Sequence, residues 1–392
     1  MSWSLDGRIL SSVLVTRLRY LGDIVMSTVV AEALREGDPD LDIGYLCEEN
    51  HAAVLENQPD IARVHRLRAG RRGADAKARA GAGLGDPLAK GTAGMIRELR
   101  RCGYDLAVDL FFNPRSAWLL KLAGIPLRIG GTRKTRGRLY THRVLRSDLR
   151  DPSSDFDGVA PGGLGEHLCR LAPLVHVESG LPFFARLAPR YRQGQLMPKV
   201  GQRPMGPETL RLMKALGVDP ARPFLLLAPN ATWPTKEWSA ARWRELALLL
   251  VREFPWPVVL LEAPGRRDKW DGVAGAIPPA RGGVLAPLRL PEALAVAGAA
   301  KVLVTVDGGL MHAAVALGTP TLALFGPTDP RIWFPYEGGG PYRVLATAPH
   351  CHPCDLHECP EFICMPELSA DRVVAEVSRL RESSTDVSEV ES

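Results

Sequence analysis

Val302-Leu-Val-Thr-Val-Asp307-Gly-Gly-Leu-Met-His312-Ala-Ala-Val-Ala-Leu-Gly318-Thr-Pro-Thr-Leu-Ala-Leu-Phe325-Gly-Pro-Thr-Asp-Pro330 reads as strand, turn, helix, turn and strand. The β-branched apolar run 302–306 has the pattern of a strand buried on both faces. Asp307-Gly308-Gly309 then supplies a carboxylate and two residues of wide conformational range. Residues 310–317 are short and Ala-rich, which predicts a tightly packed helix with Gly318 at its C′ position. A second strand over 321–325 runs into the proline-rich loop 326–330. Ligands of open α/β sheets bind at the carboxyl ends of the strands, where Asp307, the glycine pair and this loop all fall. A site for a polar ligand is expected there.

Working outward, the same alternation fills the rest of the 392 residues. In the second half, 224–228 and 258–261 read as strands and 240–254 and 291–300 as helices. Ser239 caps 240–254, whose core stripe is Trp243, Leu246, Ala247 and Leu250. In the first half, 8–17 reads as a strand around Val13-Leu-Val, 18–23 as a turn, 24–35 as a helix, 43–46 as a strand, 106–111 as a strand and 116–122 as a helix. Ile129 marks a further short strand. Residues 68–90 and 151–165 are rich in Gly and polar residues, read as a mobile insertion and a flexible connection. The expected fold class is α/β: two Rossmann-like, doubly wound domains facing an interdomain cleft. Their limits are 1–190 and 223–368, with a linker over 191–222. An amphipathic helix over 369–382 and a polar, acidic, disordered tail over 383–392 close the chain.

Composition narrows the class. Hydrophobic residues make up 46% and charged residues 24%, ordinary for a globular protein. No apolar run approaches the roughly 20 residues that cross a bilayer, and residues 1–7 carry no signal-peptide core, so a cytosolic chain is expected. The net charge of +5 is concentrated between residues 128 and 150. Such a block points to nucleic acid, an anionic membrane surface or a phosphorylated ligand, with a merely solvated basic face as the alternative. Four of the seven cysteines are Cys351, Cys354, Cys359 and Cys364. Four thiolates so spaced could bind a structural Zn; reduced thiols or local disulfides are the alternatives.

Three places carry the chemistry. Asp23, in the turn after the first strand, is either a helix N-cap or a general base. A helix N-terminus weakens a carboxylate as a base, so burial would have to offset it. Residues 229–238, Pro-Asn-Ala-Thr-Trp-Pro-Thr-Lys-Glu-Trp, offer the hydroxyls of Thr232 and Thr235 and the ammonium of Lys236, a set suited to a diphosphate. Asp307 could accept hydrogen bonds from ribose hydroxyls, and Gly308 and Gly309 open a helix able to receive phosphate. His312 is either a ligand contact or structural. The absence of Gly-x-Gly-x-x-Gly and of Gly-x4-Gly-Lys-Ser/Thr at a strand–helix junction disfavours dinucleotide oxidoreductases and nucleotide triphosphatases.

Together, R-L-x-x-L-G-D ending at Asp23, P-N-A-T-W-P-T-K-x-W, D-G-G-L-M-H-A-A and A-L-F-G-P-T-D-P resemble the ADP-heptose:lipopolysaccharide heptosyltransferases of glycosyltransferase family 9. The match runs in order from residue 9 to residue 380 and includes the cysteine cluster. It implies a GT-B fold, with the acceptor on the first domain, the nucleotide sugar on the second, and the last helix crossing back to the first. Carried over residue by residue, it implies Asp23 as catalytic base and Lys236 as the group that stabilises the leaving diphosphate. The donor would meet Thr232, Thr235, Lys236, Glu262, Asp307, Gly308, Gly309, Leu310 and His312. The acceptor would meet Gly22, and, on grounds of charge, Arg115, Arg128, Arg133, Lys134 and Arg136. The implied reaction is inverting single displacement from ADP-heptose, with no metal required. The implied partners are a nucleotide sugar, a phosphorylated glycolipid acceptor and, peripherally, the inner-leaflet membrane surface, with no nucleic acid. Gly308 stands where Ser or Thr is usual, Glu262-Ala-Pro-Gly265 replaces the usual Gly-Gly-Pro, and the cysteine spacing is shorter. Another nucleotide sugar or acceptor, or a catalytically silent sugar-nucleotide binder, is the alternative.

Overall fold

The computed structural model describes residues 1–70, 88–132, 134–144, 163–192, 195–263 and 269–386. The readings at 71–87 and 151–162, with Arg133, lie outside them. The chain divides into two compact units, residues 1–201 and 202–392, within the stretch read as a linker.

In the first unit, β1 (Trp3–Leu5) and β2 (Arg8–Ile9) form a small antiparallel sheet rather than the start of the first parallel strand. The break has a physical cause: the Asp105 carboxylate accepts from the Ser11 and Ser12 amides at 2.9 and 3.2 Å and ends the run at that point. β3 (Ser12–Thr16) then leads into α1 (Leu21–Gly37), β4 (Asp42–Glu48), β5 (Arg63–Leu67), α2 (Thr92–Cys102), β6 (Leu106–Asp109), α3 (Pro114–Leu122), β7 (Leu127–Gly130) and β8 (His142–Arg143). The sheet is all parallel in the order β5-β4-β3-β6-β7-β8. β9 (Val175–His176) completes the small antiparallel sheet beside β1.

The second unit repeats the plan. β10 (Leu225–Ala228), α4 (Ala240–Glu253), β11 (Val258–Leu261), β12 (Gly282–Leu285), β13 (Val302–Val306), α5 (Gly309–Ala316), β14 (Thr321–Phe325) and β15 (Tyr342–Ala346) are followed by α6 (Ala370–Asp386). Its sheet is also parallel, in the order β12-β11-β10-β13-β14-β15. Counted within each unit, both orders are 3-2-1-4-5-6, the Rossmann winding, so the fold is α/β with two doubly wound sheets of the GT-B class. The switch point lies between β3 and β6 in one unit and between β10 and β13 in the other. Strands such as Leu225–Ala228 and Val302–Val306 are buried throughout, as helices on both faces require. Gly318, at φ +82°, holds the left-handed conformation that ends α5 and turns the chain into β14.

The closing helix packs its apolar stripe, Ala370, Val373, Val377 and Leu380, in the core of the second unit with Trp243, Leu246 and Leu250 of α4. The helix also continues to Asp386, into the stretch read as a disordered tail. No helix among the described residues is long and apolar enough to cross a membrane.

Candidate functional site

At the carboxyl edge of the second sheet three loops meet. β13 delivers Asp307 with its carboxylate almost enclosed, 4% exposed. The chain after β10 makes a single 3-10 turn, Pro234–Lys236, that swings Lys236 over that carboxylate, Nζ to Oδ2 2.5 Å. From the loop after β14, the Thr328 hydroxyl donates to the same Oδ2 at 2.7 Å. The Lys236 ammonium also lies 4.2 Å from the centroid of the Trp233 ring, and Trp233 stacks on His357 with ring centroids 3.7 Å apart. Gly326 makes this closeness achievable: a Cβ there would sit 2.8 Å from the Thr235 carbonyl oxygen and 2.9 Å from the Met365 side chain. Sequence reasoning marked this loop but missed Thr328, because nothing local shows that its hydroxyl meets a residue 21 positions earlier.

The other residues assigned to the donor lie around this knot. Thr235 is buried and donates its hydroxyl to the Leu356 carbonyl at 2.7 Å, while Thr232 is exposed. Glu262 is buried in the loop just after β11. Gly308, extended at φ −171°, is the N-cap of α5 and gives Gly309 and Leu310 to its first turn without a capping side chain. His312 is buried and shares a 2.7 Å hydrogen bond with the Tyr336 hydroxyl, whose pKa burial pushes well above its ordinary value. Tyr336 therefore stays protonated and fixes the imidazole.

Among the described residues no group of three or more His, Cys, Asp or Glu is placed to hold a metal ion. Cys351 is exposed and Cys364 buried, and all four are free thiols. The cysteine segment braces the loop after β14. The Cys354 and Asp355 amides donate to the Pro327 carbonyl at 3.0 and 3.1 Å, and His352 Nε2 lies 3.1 Å from the Thr328 carbonyl.

In the first unit Asp23 is not in the turn before α1 but within its first turn, one residue after Gly22, and accepts from the Tyr20 amide at 3.4 Å. Its other oxygen pairs with Arg17 Nη2 at 2.5 Å. Arg17 reaches across the switch point, donating to the Leu110 carbonyl at 2.7 Å with its guanidinium 5.1 Å from the Phe111 ring centroid. This guanidinium, also missed from sequence, fixes the direction of the Asp23 carboxylate. Near these strand ends lies a cavity of about 280 Å³, lined by Leu18, Arg19, Glu48, Gly70, Phe111, Asn113 and Arg115.

The basic block behaves unevenly. Arg115 Nη1 pairs with Glu48 at 3.3 Å and faces this cavity. Arg128 is turned inward: its guanidinium donates to the carbonyls of Ile125, Pro126 and Leu139 and locks the loop after β7. Arg136 donates to the Phe112 carbonyl at 2.9 Å. Lys134 opens the turn Lys134–Leu139, with its side chain outside the described residues.

Residues 185–361 match the family model described as glycosyltransferase family 9 (heptosyltransferase). The chain is 28% identical over 351 residues to lipopolysaccharide heptosyltransferase 1 of Pseudomonas aeruginosa, covering 88% of this chain and 87% of that one. It is 25% identical over 327 residues to lipopolysaccharide heptosyltransferase 3 of Escherichia coli K12, covering 81% and 83%. Among solved structures, E. coli ADP-heptose lps heptosyltransferase II superposes with a TM-score of 0.67 at 22% identity, over 95% of this chain and 99% of that one.

Proposed function

We propose that the chain, whose residues 185–361 match the glycosyltransferase family 9 model, acts as a member of that family and transfers heptose from ADP-heptose to a phosphorylated inner-core lipopolysaccharide acceptor by single displacement. The observation that carries the donor half is the knot of Lys236, Asp307 and Thr328 beside the start of α5. A buried ammonium next to uncapped helical amides suits a diphosphate, and its charge is best used as the leaving group gains negative charge. Asp307, held by Lys236 and Thr328 through Oδ2, keeps Oδ1 for a ribose hydroxyl. Glu262 stands at the adenosine end.

In the first unit Asp23 removes the proton from the acceptor hydroxyl as that oxygen attacks the anomeric carbon. The new C–O bond forms, the bond to the diphosphate breaks, and ADP leaves with inversion. Arg17 holds the base in line, and Arg19 and Arg115 at the cavity meet phosphate or carboxylate groups of the acceptor. The enzyme works at the inner leaflet, where such a glycolipid is presented. Gly308 and the Glu262-Ala-Pro-Gly265 loop favour testing other nucleotides as a second reading.

Asp23→Ala, assayed by ADP release and by donor binding, tests this directly. Turnover should fall by about 10²–10⁴-fold or more with donor affinity nearly unchanged. Loss of donor binding would remove Asp23 from the role of base. ADP at a hundredfold its Kd should raise stability by about 2.7 kcal/mol, and selective stabilisation by UDP or GDP instead would discard the donor assigned here.

A further inference from the structure

α3 starts at the acceptor-side cavity, which Asn113 and Arg115 line, and runs away from it along the surface. Its outward face is not polar. Trp118 is 52% exposed and Leu122 47% exposed, one helical turn apart on the same side. Lys121 stands exposed beside them, and α3 packs on α2 and on the Lys134–Leu139 turn. Those neighbours expose Arg97, Arg100, Arg101 and Arg138.

The surrounding charge is one-sided. Residues 92–143 hold eleven Lys or Arg and three Asp or Glu, and none of the three acids offsets the exposed cations. Glu98 is taken by His65 and Lys90, Asp105 by Arg8 and the Ser11 and Ser12 amides, and buried Asp109 by the Tyr140 hydroxyl. A soluble face gains nothing from a bare Trp and Leu inside a ring of cations. A bilayer interface rewards both: Trp and Leu enter the headgroup boundary while Lys and Arg meet anionic lipid. Nucleic acid would use the cations but leave Leu122 without a partner.

We propose that the face formed by Trp118 and Leu122, with exposed Lys121 on the same helix and exposed Arg101 and Arg138 on the elements packed against it, docks the enzyme on an anionic bilayer. It rests on the glycolipid reading above, and it places the anchor on the same helix that begins at the acceptor cavity.

The test is co-sedimentation of the full chain with phosphatidylethanolamine vesicles containing about one-third phosphatidylglycerol, against pure phosphatidylcholine vesicles. The wild type should bind the anionic vesicles, less so at high salt. Trp118→Ser/Leu122→Ser should lower partitioning by about tenfold or more, and Lys121→Glu/Arg138→Glu by about tenfold. Trp118→Phe should bind nearly as well as wild type, which separates anchoring from misfolding. Wild-type binding by the Ser/Ser variant, equal binding to both vesicle types, or binding to a DNA duplex in place of vesicles would each overturn the proposal. With a deacylated, water-soluble acceptor the Ser/Ser variant should turn over like the wild type, and with vesicle-embedded acceptor it should be slower. A chain that binds vesicles through Trp118 but transfers to no acceptor would sink the assigned reaction and leave this surface standing.

Discussion

Replacing Lys236 by Met removes the charge and keeps the length of the side chain. In the structure the Lys236 and Asp307 side chains are 11% and 5% exposed, so the change leaves a carboxylate in a nearly closed site. Breaking such a pair costs roughly 3–5 kcal/mol, because the surviving charge loses its partner without regaining water. Thr328 still donates to Asp307, which puts the cost at the low end, about 3 kcal/mol. For a unit of some 190 residues that lowers the melting temperature of the second unit by roughly 6–12 °C. Adding Asp307→Asn should return most of the loss, since the double variant has no buried charge to leave unpaired. The assay is thermal unfolding of wild type, both single variants and the double variant, without nucleotide, giving a coupling energy of about 2 kcal/mol or more. A Lys236→Met variant melting within about 2 °C of wild type, or a double variant no better than the single, would refute the reasoning. The ion pair would then be loose in solution, and Lys236 would face ligand alone.

Three further outcomes follow from particular contacts. Gly326→Ala sets a methyl against the Thr235 carbonyl and Met365, so it should cost about 1–3 kcal/mol and weaken donor binding, checked by unfolding and by ADP titration. At Gly308 an added Cβ meets nothing nearer than 3.6 Å and the backbone is extended, so Gly308→Ser should fold normally. Its hydroxyl should tighten donor binding by about twofold to tenfold, and unchanged affinity would show that no phosphate oxygen lies there. Burial lowers the pKa of His65 below 6.5 despite Glu98 beside it. The unfolded chain then takes up a proton that the folded one refuses, so stability should fall as pH drops below about 6.5. His65→Gln should flatten that slope in pH-dependent unfolding.

The alternation in both sheets was legible at the central strands, whose ends are punctuated, while Arg63–Leu67, Gly282–Leu285 and Tyr342–Ala346 nearer the edges went unread. Leu225–Ala228 is apolar throughout and Val302–Val306 in all but Thr305, and a helix follows each, that of α4 capped by Ser239. What misled was any segment whose fate depends on a distant residue. The run 8–17 has one composition, yet Asp105, over ninety positions away, divides it by taking two amides. The stripe on α6 shows that the helix is buried on one side, but the same stripe fits any apolar face of matching spacing. It went to α4 and the adjoining sheet of its own unit.

The site divides along the same line. Asp23, Lys236 and Asp307 were visible because each sits at a strand's carboxyl end, where chemistry collects in this winding. Arg17 and Thr328 were not, because their importance lies in whom they touch. This distinction bears on how the site can work. Lys236 is held by Asp307 across the β10–β13 switch point, and Asp23 by Arg17 of its own β3–α1 connection, which is itself tied across the β3–β6 switch point to the Leu110 carbonyl. In the proposed reaction a base and a charge stabiliser left on flexible loops would have to be ordered by substrate, at the expense of binding energy. Here the paired strands that define the switch points order them beforehand, so that energy remains for the transition state. Each unit thus ties the residue assigned to the proposed reaction across its own switch point, and the fold's repeat, not the local motif, accounts for where both point.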